Sequence, residues 1–273
     1  MIKKYAKYFV RFGFIVRGIV YVLLGIYGVK SAIGLSGEIK NTFDIVSGFN
    51  NLPFGKTILI FIFFGFIGYG SWGIIRSFFD PLNKGKDIAG ITTRIGYFSS
   101  GVSYFALSVL PFHLIFSIDS VYSSGTKNIA NLLNNFTGGF ILIMILGLII
   151  IVSGLGQVIY GLKEDFRNAL IEVKSQNKKK IIILTGKIGY ISRGIIYTIL
   201  GIFFFKAGVV GDSIQAKDSS EILNWIWEKT GGSILLGLFS LGLIALGSYL
   251  IISSTVIKFK KIFISLSVSA SGI

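Results

Sequence analysis

The sequence predicts an all-α polytopic membrane protein, with six transmembrane helices in three parallel two-helix repeats forming an approximate threefold bundle. Three observations carry this reading. Of 273 residues 52% are hydrophobic and only 14% charged, with a mean hydropathy of +0.76, whereas soluble domains carry about 25% charged residues. The apolar residues come in blocks long enough to cross ~30 Å of hydrocarbon, which takes about 20 helical residues. The blocks repeat: odd-numbered ones open with one shared motif, so the chain is a single membrane domain (1–273) of units 11–80, 94–165 and 187–254.

The spans run Phe14–Ile33, Lys56–Arg76, Tyr97–Phe116, Gly138–Gly161, Tyr190–Val210 and Ser233–Ser254. Helices are expected because an isolated strand leaves its backbone unsatisfied in lipid. The first span follows Lys3, Lys4, Lys7 and Arg11, with Arg17 just inside it. Basic residues also flank the second connection (Arg76, Lys84, Lys86, Arg94) and the fourth (Lys163 to Arg193), and Lys258, Lys260 and Lys261 follow the last span. The other connections hold only Lys40, Lys56, Lys127, Lys217 and Lys229. By the positive-inside rule both termini are expected in the cytoplasm. The run Lys178–Lys180 reads as a solvated or lipid-facing loop. A leading Lys cluster before an apolar stretch also resembles a signal peptide. Its likeness to two internal helices argues for a retained span instead.

The repeat is ungapped. Arg11-x-Gly13-x-x-x-Arg17-Gly18-x-x-Tyr21-x-x-x-Gly25 opens the first span, and Arg94-x-Gly96-x-x-x-Ser100-Gly101-x-x-Tyr104-x-x-x-Ser108 the third. Lys187-x-Gly189-x-x-x-Arg193-Gly194-x-x-Tyr197-x-x-x-Gly201 opens the fifth. Even spans begin near Gly55, Gly139 and Gly232 and share a later glycine, Gly70, Gly154 and Gly247. Each unit crosses twice, so the copies run parallel, unlike the inverted repeats of many transporters. Between the fifth and sixth spans, Ser219–Lys229 is amphipathic. Ile222, Trp225 and Ile226 share a face, Asp218 with Glu221 fits a capping box, and Trp225 or Trp227 is expected at headgroup level.

At these motifs the chain resembles the bacterial membrane proteins grouped as domain of unknown function 1206. That family is similar in its three two-helix copies with an Arg-Gly-x-x-Tyr signature. Its Pro-Phe-Gly before the second helix looks like Pro53-Phe54-Gly55, and its acidic residue after that helix looks like Asp80. Ser100 departs from the signature Arg, and copies two and three lack Pro-Phe-Gly. The resemblance implies membrane location and architecture, in a bacterial cytoplasmic (inner) membrane, and transfers no activity.

Cysteine is absent, which removes disulfides, thiolate nucleophiles and thiolate metal sites. One His and two Met leave little for haem or copper, so no cofactor is expected. The 12 acidic residues fall in connections or at span ends, and no His–carboxylate dyad lies in a span, so an enzyme is not expected. The net charge of +15 reads as topology and attraction to anionic lipid headgroups at the cytoplasmic face, with no nucleic-acid partner.

The stripe Phe14, Gly18, Tyr21, Gly25, Gly28, recurring in the other copies, keeps to one helical face and reads first as a packing seam. No Gly-x-x-x-Gly pair occurs. Two sets of cations are candidate sites for a small anion or lipid headgroup. Lys30, His113 and Lys206 align across the copies near the outer ends of their helices. They either line a vestibule or reach the outer headgroups. Arg17 and Arg193, with Tyr21 and Tyr197, form a second candidate. Arg there either snorkels to the inner headgroups or clasps an anion through its planar fork. Two functions follow: a conduit, carrier or binder for a small anionic solute or lipid headgroup, or an accessory structural protein without transport.

Overall fold

The structure, a computed structural model, describes residues 2–35, 38–80, 88–117, 138–169, 175–212 and 215–256, with Gly85, Ala130 and Leu133 between them. Lys84, Lys86, Lys127, Lys174 and the Lys258–Lys261 group lie outside the described residues. Six long helices form the spans. They are α1 (Ile2–Ala32), α3 (Gly55–Phe79), α4 (Ile88–Phe116), α5 (Gly139–Leu162), α6 (Gln176–Val210) and α8 (Gly232–Val256). Two short helices, α2 (Thr42–Phe49) and α7 (Ser219–Trp227), lie between the spans of units one and three. All six long helices are apolar and long enough to cross a membrane. The protein is a membrane-spanning helical protein.

The helix of every odd-numbered span starts earlier than its apolar stretch, taking in basic residues before it such as Arg11, Arg94 and Lys187. Lys and Arg are good helix formers and stay solvated where a helix protrudes from the bilayer. Lys178–Lys180 is therefore the first turn of α6 and not a loop. The extension has a consequence: Arg17 is the middle residue of α1 and Arg193 the middle residue of α6. Each even helix follows a residue in the left-handed region, Phe54 (φ 60°), Gly138 (φ 79°) and Gly231 (φ 73°). In units one and three this sharp entry turns the chain from the short helix straight into the next span.

The units interlock cyclically through their signature glycines. A Cβ on Gly18 would lie 2.7 Å from the Gly247 carbonyl oxygen, one on Gly101 3.0 Å from that of Gly70, and one on Gly194 2.8 Å from that of Gly154. Thus α1 packs on α8, α4 on α3 and α6 on α5, each odd helix against the even helix of the unit before it. In lipid, association rests on close van der Waals approach, which glycine permits. The residue opening each motif ties the same pairs at the basic end. Arg11 donates to the Thr255 carbonyl (2.9 Å), Arg94 to those of Ser77 and Phe78 (2.7 and 3.0 Å), and Lys187 meets Glu164 just beyond α5 (3.5 Å). Cations there satisfy carbonyls and oppose the negative end of the helix dipole. Inside a unit, α1 packs on α3 and α6 on α8, whereas α4 and α5 of the middle unit form no such seam.

At the opposite end, α2 and α7 are lids with matching capping boxes. Asn41 accepts from the Asp44 amide while Asp44 accepts from that of Asn41. Asp218 and Glu221 make the same exchange, as expected from sequence. Ile222 and Ile226 are buried, and Trp225 packs edge-on against Phe203 at 5.6 Å. The lids also hold each other: Asn41 Nδ2 donates to Asp218 Oδ2 (3.0 Å) and to Ser220 Oγ (3.4 Å). Asn41→Ala removes both the cap and this bridge. Loss of the cap alone costs about 1 kcal/mol. Hydrogen exchange should quicken in α2, less in α7, and be unchanged in the spans.

Candidate functional site

The signature Arg and Tyr side chains meet in the middle of the bundle. Arg17 is 2% exposed and Arg193 7%. The Arg17 guanidinium carbon lies 4.1 Å from the Tyr69 ring centroid, 4.8 Å from that of Tyr104 and 5.4 Å from that of Tyr21. Arg193 also faces Tyr21 at 5.4 Å and stacks on Tyr197 at 4.3 Å. It donates from Nη1 to Gln157 Oε1 (2.7 Å) and from Nη2 to the Tyr197 hydroxyl (2.8 Å). The hydroxyls of Tyr21 and Tyr104 are 3.5 Å apart. Tyr21 therefore stands between the two guanidiniums, joining units one and three, and Tyr104 brings in unit two.

Charge is the salient property of this cluster. Among the described residues neither Arg is ion-paired with a carboxylate; Glu38 and Glu164, which are ion-paired, lie near the ends of the bundle. The Nε atoms of Arg17 and Arg193 are buried without a hydrogen-bond partner. A desolvated cation over a ring is stabilised by about 2 kcal/mol. A neutral ring holds a cation without cancelling its charge. Burying a charge in a helix centre costs about 2.5–3.5 kcal/mol on insertion scales. Two positive charges thus sit within the membrane-spanning region, caged but not neutralised.

A cavity of about 50 Å³ reaches this cluster from the lid end. Tyr21, Arg193 and Tyr197 border its inner part, Leu24 and Leu243 its wall, and Lys40, Thr42 and Ser219 the underside of the lids. A cavity of ~150 Å³ admits benzene, and water needs at least about 10–15 Å³. This one has room for a few heavy atoms. Arg supplies planar, bidentate donors and Tyr a hydroxyl, a set suited to carboxylate or phosphate-like oxygens.

The second candidate set, Arg17, Tyr21, Arg193 and Tyr197, is thus brought together in one cluster; Tyr21, Arg193 and Tyr197 border the cavity, and Arg17 lies behind Tyr21. Headgroup snorkelling of the two Arg is replaced by burial, because both side chains turn into the bundle, Arg17 among the rings of Tyr21, Tyr69 and Tyr104 and Arg193 onto Tyr197 and Gln157. The first set is not brought together there. Lys30 and Lys206 are exposed and His113 is half-buried, its ring 6.2 Å from that of Phe112. None of the three borders the cavity. Each is half a turn out of phase with its unit's signature tyrosine at about 100° per residue. With Tyr21, Tyr104 and Tyr197 turned inward, that position turns outward.

Sequence reasoning missed three contributors. Gln157 is a polar amide in a largely apolar span, and that is itself a signal inside a membrane. Tyr69 lay outside the signature. The lid pair was overlooked too: Lys40-Asn41 and Lys217-Asp218 occupy equivalent places, and Lys127-Asn128 has the same form in the middle copy.

The fold and this site define a polytopic helical membrane protein built from three copies of a two-helix unit, with paired arginines at its centre. The chain belongs to the family described as Domain of Unknown Function (DUF1206), which matches residues 12–80, 95–164 and 188–255. It is also similar to the uncharacterized protein YxxB of Bacillus subtilis (strain 168), with 29% identity over 252 residues, 91% of this chain and 90% of that protein. No solved structure matches it.

Proposed function

We propose that this protein is a non-enzymatic binder, carrier or conduit for a small anion or an anionic headgroup, held at the Arg17–Arg193 centre. The observation that supports it is two buried guanidiniums with no carboxylate partner, one of which, Arg193, borders a cavity that leads toward the lids. A bound anion would supply the missing counter-charge and take hydrogen bonds from Arg193 and Tyr197. In this reading the protein sits in a bacterial inner membrane with both termini cytoplasmic, its basic ends near anionic lipid headgroups. The lids then face the exterior, and Lys40 and Lys217 draw anions toward the mouth.

Reporter fusions after Gly34, Ser123 and Ser213 (the last two outside the described residues) are expected to signal an exterior location. A cytoplasmic signal from any of them would reverse the orientation. Flux and binding assays on purified protein in liposomes, with phosphate, sulfate, nitrate and carboxylates, test the function itself. Binding of at least one anion, lost when Arg17 and Arg193 are both Gln, is expected. The ring cage around Arg17 favours a second reading, an accessory protein in which the cation–π stack is purely structural. Absence of binding and flux for every anion would leave that reading in place.

A further inference from the structure

The middle unit departs from the other two along one line. Where units one and three have Arg17 and Arg193, it has Ser100. Aligned on Gly70, Gly154 and Gly247, the buried aromatics Trp72 and Tyr249 correspond to Gly156, and Tyr69 and Leu246 correspond to Ser153. The packing departs with them. A Cβ on Gly13 would lie 2.5 Å from the Tyr69 amide nitrogen, and one on Gly189 2.5 Å from Leu246 Cα. The equivalent Gly96 meets nothing within 4 Å, and neither does Gly156. Among the described residues the α4–α5 side of the bundle is therefore open where the other units are closed by an aromatic side chain and a helix seam.

The opening is polar. Gly96, Ser99, Ser100 and Ser103 follow one another at helical spacing on α4, and Ser153, Gly156 and Gln157 do so on α5. Gln157 is also the residue that accepts from Arg193. Arg193 is more than nine-tenths buried, and its Nε has no hydrogen-bond partner. Behind the slot, past Gln157, lies an uncompensated positive charge on a membrane-spanning helix.

We propose that the α4–α5 slot is a lateral entrance for the phosphate headgroup of an anionic membrane lipid, which reaches Arg193 past Gln157 while its acyl chains stay in the bilayer. The proposal rests on the anion-site reading above and specifies its ligand. An apolar helix, including one from a second copy, would bury these hydroxyls and the Gln amide against hydrocarbon and leave the charge unpaired. A phosphodiester headgroup accepts from Arg193 and hydrogen-bonds with the slot walls. Its chains need an opening that faces lipid, as this one does. The lid cavity provides a separate path for free anions, so the two sources are distinguishable.

Gly156→Trp places in the middle unit the residue that closes unit one. In nanodiscs of phosphatidylcholine containing phosphatidylglycerol, this variant should bind the anionic lipid at least about tenfold more weakly than the wild type. Its thermal stabilisation by inorganic phosphate should be unchanged. Arg193→Gln should lose both. Undiminished phosphatidylglycerol binding by Gly156→Trp would overturn the lateral entrance and leave the anion site standing. Retention of both ligands by Arg193→Gln would overturn the anion site itself. A photoreactive benzoylphenylalanine at Ser103, which leaves Gly156 intact, provides an independent measure. Cross-linking should favour phosphatidylglycerol over phosphatidylcholine there but not at the exposed Ile202 of α6. Equal preference at both positions would overturn the entrance.

Discussion

Arg193→Gln is expected to weaken anion binding about 10- to 150-fold, the loss that follows from removing a charged hydrogen-bond partner worth about 1.5–3 kcal/mol. Among the described residues the guanidinium alone combines charge, two hydrogen bonds and a place at the cavity. It holds Gln157 at 2.7 Å and Tyr197 at 2.8 Å, so its loss also frees the side chains that orient the site. Arg193→Lys should recover only part of the affinity, because a point charge replaces a fork fixed by both partners. Stability should move the other way. A buried charge without a counter-ion is costly, and replacing one by an apolar residue of similar volume is often neutral or stabilising. Arg17→Met is therefore expected to melt at or above the wild-type temperature without ligand, and to lose the further rise that anions produce. If the Tyr69–Arg17–Tyr104 stack is purely structural, the same variant melts lower with and without anion.

Gly194→Leu should have the largest effect on stability. A Cβ there would lie 2.8 Å from the Gly154 carbonyl oxygen and 2.8 Å from the Val158 amide nitrogen. Both atoms are backbone of α5, so a whole helix must shift rather than one side chain turn. Overpacking of soluble cores typically costs about 1–3 kcal/mol. The cost here should lie at or beyond the top of that range, since the seam joins units two and three along its length. Size-exclusion profiles and melting curves in detergent should show aggregation or a strongly lowered transition. Gly96→Ala is the matching control: nothing lies within 4 Å of its Cβ, and Ala is favoured over Gly in a helix by about 1 kcal/mol. A transition unchanged or raised is expected.

The contrast between those glycines shows what was legible in the sequence. The ungapped motif placed Gly18, Gly101 and Gly194 in equivalent roles, and the even-span glycines marked their partners, so repeat architecture and span count could be read directly. Hydropathy did not reveal where the helices begin, because Lys and Arg extend a helix without extending its apolar stretch. Nor did it reveal that Arg17 and Arg193 turn into the bundle rather than toward the headgroups, since that depends on tyrosines and a glutamine of neighbouring helices. The same periodicity that aligned Lys30, His113 and Lys206 could not say which face was inward. Only the neighbouring helices decide that. Asp218 with Glu221 was a readable capping box, whereas the Asn41–Asp218 bridge joins residues of different units and leaves no local trace. Gln157 was hidden for the same reason: its meaning lies in Arg193, on another helix.

The central claim is that two uncompensated arginines in the middle of the bundle hold an anion. The most direct measurement is the melting temperature of purified protein against increasing phosphate, sulfate and carboxylates, for the wild type and the Arg17→Gln/Arg193→Gln double variant. A ligand that binds only the folded state stabilises by RT ln(1 + [L]/Kd), about 2.7 kcal/mol at a hundredfold excess over Kd. The account predicts a saturable rise with at least one anion in the wild type, absent from the double variant and unaffected by replacing the outward-facing Lys30 and Lys206 with Gln. Equal rises in the wild type and the double variant, or a rise abolished by the Lys30 and Lys206 replacements alone, would contradict it.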